Sequence, residues 1–122
     1  MGERPIVAVV DDDPAVCNSL KFSLELEGFS VRTYGSGAAL LRAGDLAAYD
    51  CFVIDQKMPG LSGLETIATL RSRNLPVPAI LIVSEPSAVV TARAAATKVP
   101  IVEKPFLGNA LVDRIREACG QG

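Results

Sequence analysis

With 122 residues and a mass of 12.8 kDa the chain has room for one domain, and its 49% hydrophobic and 21% charged residues exclude a disordered segment or a fibrous repeat. It contains no His and no Trp, which removes Ser-His-Asp and Cys-His catalysis, an imidazole base and any His-bearing zinc site. The 12 Lys and Arg against 14 Asp and Glu leave a formal charge of -2, too little positive charge to suggest direct nucleic-acid binding.

Ile6 to Val10 is a continuous apolar run ending at Asp11, the pattern of a strand covered on both faces. Pro14 suits the first turn of a helix, Asp13 is placed to cap it, and Val16, Leu20, Phe22, Leu24 and Leu26 supply its apolar contacts before Gly28 stops it. Ser30 to Tyr34 alternates as a strand nearer the sheet edge, and Ser36 opens a short helix to about Ala43. Cys51-Phe52-Val53-Ile54 is a third strand ending at Asp55, and the loop Met58 to Gly63 leads to a helix from about Leu64 to Arg73. Ala79 to Val83 is the most apolar strand, Ser84 to Ser87 begin an Ala-rich helix to about Ala96, and Pro100 to Val102 form a fifth strand. The last helix spans about Leu107 to Ala118, with Leu111, Ile115 and Cys119 along one face. Strands alternating with helices specify an α/β fold of right-handed βαβ units, and with five of them the parallel sheet is open rather than a closed barrel. Cys17, Cys51 and Cys119 lack metal spacing and read as reduced thiols of a cytoplasmic protein, Cys51 as a buried one. No apolar run approaches the ~20 residues a membrane helix needs, and the opening Met1 to Pro5 does not read as a secretory signal.

In open α/β sheets the working site lies beyond the carboxyl ends of the strands. Asp11-Asp12, Asp55 and Lys104 fall there, after the first, third and fifth strands. Any one of them suits an ordinary strand-end turn, but the fold gathers all of them on one side. Clustered carboxylates repel each other, and a hard divalent cation with oxygen ligands, Mg2+, relieves them. Carboxylates, Mg2+ and a lysine around one pocket match phosphoryl chemistry, with Asp55 as the nucleophile.

The stretches Val9-Val10-Asp11-Asp12-Asp13, Val53-Ile54-Asp55-Gln56-Lys57-Met58-Pro59-Gly60, Ser62-Gly63 and Val102-Glu103-Lys104-Pro105-Phe106 span nearly the whole chain. In that order they resemble the receiver domain of bacterial two-component response regulators, particularly the FixJ-like branch. The resemblance implies a doubly wound (βα)5 flavodoxin-like fold with sheet order 2-1-3-4-5, one receiver domain over residues 1–122 with its core at about 5–119, and no output domain in this chain. It implies that Asp55 accepts a phosphoryl group, that Asp11, Asp12 and Asp55 hold Mg2+, with Asp12 the direct ligand of the acidic pair, and that the backbone carbonyl of Lys57 is a further ligand. Lys104 then pairs with the phosphoryl oxygens, and the bond before Pro105 is cis. The donor would be a sensor histidine kinase or phosphotransfer protein, and the output a protein–protein contact; such a domain is no dedicated enzyme, touches no membrane and works in the cytoplasm.

Two positions depart from that family's pattern. A Thr or Ser usually ends the fourth strand and hydrogen-bonds the phosphoryl group; an ungapped count puts Val83 there, with Ser84 next. Either Ser84 serves through a local shift of the strand end or the switch works without that bond, and strand alternation favours Val83 at the position. Three residues before Lys104, where many receivers carry a Tyr or Phe that reorients, this chain has Ile101. Lys57 and Glu85 both rim the pocket, placed either to form an ion pair that limits water attack on the phosphoryl group or to stand as two solvated charges. Three other functions compete. A degenerate receiver would bind partners without phosphorylation. An aspartyl-nucleophile phosphatase would carry a second acid where Lys57 stands, and an FMN carrier would not place Asp11-Asp12-Asp13 against a phosphate.

Overall fold

The computed structural model describes residues 4–104 and 109–120. Strands β1 (Ile6–Val10), β2 (Ser30–Tyr34), β3 (Cys51–Asp55), β4 (Ala79–Val83) and β5 (Ile101–Glu103) alternate with helices α1 (Pro14–Leu26), α2 (Gly37–Arg42), α3 (Gly63–Ser72), α4 (Ala88–Ala96) and α5 (Ala110–Ala118). All neighbouring strands pair in parallel, in the order β2-β1-β3-β4-β5 that the resemblance implies.

The unbroken apolar runs of β1, β3 and β4 follow from helices on both faces of the sheet. Val10, Ile54, Leu81 and Val83 face Leu40 of α2, Leu64 and Ile67 of α3 and Ala94 of α4. Val7, Val9, Val53, Ile80 and Ile82 face Cys17, Leu20 and Leu24 of α1 and Leu111 and Ile115 of α5. The carboxyl ends of β1, β3 and β5 therefore open on the same side, which is what positions the site.

Asp13 caps α1 as expected, its side chain accepting from the Ala15 N–H at 2.9 Å. The buried stripe of that helix differs from the expected one. Cys17, Leu20 and Leu24 are buried and Val16 is half-buried, while Phe22 and Leu26 stand 69% and 72% exposed. Positions 17, 20 and 24 lie within one arc of a 3.6-residue period, which puts 22 and 26 on the opposite side. Gly28, at φ +99°, takes the left-handed conformation that ends the helix.

Other boundaries shift slightly. β3 includes Asp55, β5 runs from Ile101 to Glu103, and α4 starts at Ala88 with Ser87 as its cap rather than at Ser84. A single 3₁₀ turn at Leu46–Ala48 precedes β3, with no counterpart in the periodicity. The expected start of the last helix at Leu107 and the cis bond before Pro105 lie outside the described residues. Cys51 is wholly buried, and all three cysteines are free. Among the described residues no helix is long and apolar enough to cross a membrane.

Candidate functional site

Three strand ends build the site. Asp11 follows β1; its N–H bonds the carbonyl of Tyr34 at 3.1 Å, and its Oδ1 accepts from the Asp13 N–H at 2.9 Å, which fixes the carboxylate plane. Asp55 is the last residue of β3, held in the sheet by its register with Ile82 of β4. Lys104 follows β5, anchored by its N–H on the Val83 carbonyl at 2.9 Å. Its ammonium lies 3.2 Å from Asp11 Oδ2 and 3.2 Å from Asp55 Oδ1, so one cation ties the first and third strand ends together.

Asp11 and Asp55 are only 4% and 6% exposed, whereas Asp12 is exposed. Each of the three offers an oxygen within 4.8 Å of the others. Burial first, and then the charge of Asp11, raise the Asp55 carboxyl above the usual carboxylate range, and Lys104 only partly offsets this. Burial also works against the Lys104 ammonium, yet the charge of Asp55 and the bonds to both carboxylates outweigh it and raise that group as well. Three carboxylates against one ammonium leave the pocket short of positive charge. An all-oxygen donor set of this kind, with one exposed member open to retained water, fits a hard divalent cation such as Mg2+.

The other residues singled out in the sequence flank this cluster. Lys57 Nζ stands 3.2 Å from Glu85 Oε1, joining the β3–α3 and β4–α4 connections, with both side chains about 80% exposed. Val83 ends β4 and is buried among Met58, Leu81 and other apolar side chains; Ser84 follows it on the exposed surface. Ile101 opens β5, half-buried against the same core. Between these elements lies a cleft of about 380 Å³ that Gln56, Lys57, Val83 and Glu85 help to line.

Sequence reading passed over the entry to α3. Ser62 and Glu65 form a reciprocal capping box, the Ser62 hydroxyl accepting from the Glu65 N–H at 3.1 Å and the Glu65 carboxylate accepting from the Ser62 N–H at 2.8 Å. The Ser-x-x-Glu spacing is its visible signal. Gln56, next to Asp55, accepts from Leu64 N–H through Oε1 at 2.9 Å, a contact with no such signature.

Comparison with known proteins agrees with this geometry. Residues 7–116 match the response regulator receiver domain family. The transcriptional regulatory protein FixJ of Azorhizobium caulinodans is 37% identical over 99% of this chain and 58% of its own length. The C4-dicarboxylate transport transcriptional regulatory protein DctR of Rhodobacter capsulatus is 36% identical over 88% of this chain and 56% of its own. The crystal structure of FixJ-N superposes with a TM-score of 0.87 at 29% identity, covering 100% of this chain and 98% of that one. The response regulator StyR gives 0.87 at 31% identity, covering 96% and 60%. The chain thus spans a little over half the length of the curated relatives it matches.

Proposed function

This chain belongs to the response regulator receiver family, and we propose that it takes a phosphoryl group on Asp55 from the phosphohistidine of a sensor histidine kinase or of a phosphotransfer protein. Residues 1–122 act as one receiver unit in the cytoplasm, with output by protein–protein contact. The carboxylate of Asp55 attacks phosphorus; the O–P bond forms as the P–N bond to the donor imidazole breaks, and that imidazole leaves with the bonding pair and takes a proton from solvent. Lys104, already on Asp55 Oδ1, serves as the point charge that pairs with phosphoryl oxygens. Asp11, Asp12, Asp55 and the Lys57 carbonyl would hold Mg2+. When bound, the ion offsets the carboxylate charge facing the incoming group and stabilises charge in the transition state. Chemistry of this kind is a single stoichiometric transfer rather than dedicated enzyme turnover.

The observation that supports this reading best is the 3.2 Å approach of Lys104 to both Asp11 and Asp55. A half-buried ammonium shared by two buried carboxylates at adjacent strand ends is a poor way to gain stability, since desolvation consumes much of the attraction. It is a good way to hold an anion against a carboxylate. The test is intact-protein mass after incubation with Mg2+ and acetyl phosphate, for wild type and Asp55→Asn. One added phosphoryl group in wild type and none in the variant is expected. A wild type that stays unmodified by acetyl phosphate and by a phosphorylated histidine kinase overturns the reading.

A further inference from the structure

Gln56 stands between the proposed acceptor, Asp55, and Lys57, whose carbonyl is the proposed ligand, and it makes three bonds. Its N–H donates to the Ile82 carbonyl of β4 at 2.9 Å, its carbonyl accepts from the Gly63 N–H at 3.0 Å, and its Oε1 accepts from the Leu64 N–H at 2.9 Å. A helix begins with four N–H groups that have no partner in the helix itself. In α3 these belong to Ser62, Gly63, Leu64 and Glu65; the capping box takes the first and last, and Gln56 takes the two between. The connection from Lys57 to Ser62 is thereby closed into a loop whose ends both rest on the residue next to Asp55.

Close packing makes the closure specific. A Cβ on Gly63 would meet the Asp55 carbonyl oxygen and Leu81 Cδ1 at 2.6 Å each, so the first turn of α3 lies directly against the end of β3. Only with glycine there can the helix come near enough for the side chain of Gln56 to reach Leu64 N–H. An acceptor oxygen at position 56 therefore ties the residue that leaves β3, and directly precedes Lys57, to the first turn of α3.

We infer that Gln56 is a positioning residue for the metal site, the Gln56 Oε1 to Leu64 N–H bond holding the β3–α3 connection in the conformation that presents the Lys57 carbonyl. The inference rests on the reading of that carbonyl as a Mg2+ ligand. Gln56 is not one of the proposed ligands, and its N–H, carbonyl and Oε1 bond to Ile82, Gly63 and Leu64, so its effect runs through geometry, in the manner of outer-sphere partners whose loss costs on the order of 10- to 100-fold in metal affinity.

Two measurements on the intact chain test it: Mg2+ affinity by titration calorimetry, and amide exchange at Leu64 by NMR. Gln56→Met keeps the length and removes the acceptor; it is expected to speed exchange at Leu64 and weaken Mg2+ binding roughly tenfold. Gln56→Glu keeps an acceptor oxygen and is expected to hold Leu64 protected and bind Mg2+ at least as tightly as wild type. Ser62→Ala frays the same helix end at Glu65, away from the Asp55 side, and is expected to leave Mg2+ affinity within about twofold of wild type. Wild-type affinity in Gln56→Met, weakened binding in Gln56→Glu, or a loss in Ser62→Ala equal to that in Gln56→Met each overturns the inference. A wild type that binds no Mg2+ while Leu64 stays protected overturns the metal-site reading itself, and is distinguishable on that ground.

Discussion

The two connections that flank Asp55 are built in opposite ways. From β3 to α3 the chain is held at both ends: Gln56 takes two helix N–H groups, Ser62 and Glu65 cap each other, and Gly63 lies against the Asp55 carbonyl. From β4 to α4, Ser84, Glu85, Pro86 and Ser87 are all exposed, and among the described residues the side-chain ties are the Ser87 cap on Val90 N–H at 3.1 Å and the Lys57–Glu85 pair. One connection carries a proposed metal ligand, which has to be in place before the reaction. The other follows Val83, the residue that the resemblance sets where the family's switch hydroxyl stands. A site can ask rigidity of one neighbour and freedom of the next, and local hydrogen bonding is how the chain grants each.

Gly63→Ala is the substitution that breaks this contrast most forcefully. Its methyl group would lie 2.6 Å from a backbone oxygen in the sheet, so α3 must move off β3, at a cost of about 1–3 kcal/mol typical of overpacking. Ser84→Ala, at an exposed site in the looser connection, is expected to change stability by less than about 0.5 kcal/mol. Urea unfolding of the two variants checks the difference, and equal losses would mean that the connections are equally constrained.

A smaller effect concerns the pocket between them. Because burial and Asp11 raise the Asp55 pKa above its ordinary 3.8, the native chain binds that proton more tightly than the unfolded one. The stability Asp55 contributes is therefore fully present below 3.8 and is lost as pH rises through the raised native value. In Mg2+-free buffer, wild type should lose stability relative to Asp55→Asn across that window, and the variant should be the more stable at neutral pH. Saturating Mg2+ should shrink the difference. A pH-independent difference would show that Lys104 alone balances the carboxylates.

These contrasts explain what the sequence could and could not disclose. The alternation of strands and helices and the acidic site were legible in the residues, because Asp11-Asp12, Asp55 and Lys104 close apolar runs at three strand ends, whereas the strand order came from the family resemblance. Asp13 before Pro14 announced its cap. In α1, counting apolar residues misplaced Phe22 and Leu26, because a helix buries a phase rather than a composition; Cys17 occupies the buried phase and they do not. The short turn at Leu46–Ala48 is less than one helical repeat and leaves no period to detect. Gln56 was hidden for another reason: its partner is eight residues away, and the contact depends on how closely α3 approaches β3, which only packing decides.

The smallest energetic effect concerns the bridge across the two connections. Lys57 and Glu85 pair at 3.2 Å, but with both side chains largely in water the pair contributes under about 0.5 kcal/mol. Lys57→Ala, Glu85→Ala and the double variant should therefore unfold within that margin of wild type, and salt should erase what coupling remains. Kinetics answer to different requirements from stability. The pair bridges the two loops at a cleft that Val83 and Gln56, the residue after Asp55, help to line. If the bridge limits water attack on phosphorylated Asp55, either single variant removes it without altering Asp11, Asp12 or Asp55, and the aspartyl phosphate should decay faster than in wild type, by an equal factor in the single and double variants. Charge reversal, Lys57→Glu with Glu85→Lys, restores the pair and should restore the lifetime. If Lys57→Ala leaves the lifetime unchanged, the bridge is two solvated charges that happen to meet, and the looser connection owes nothing to the tighter one.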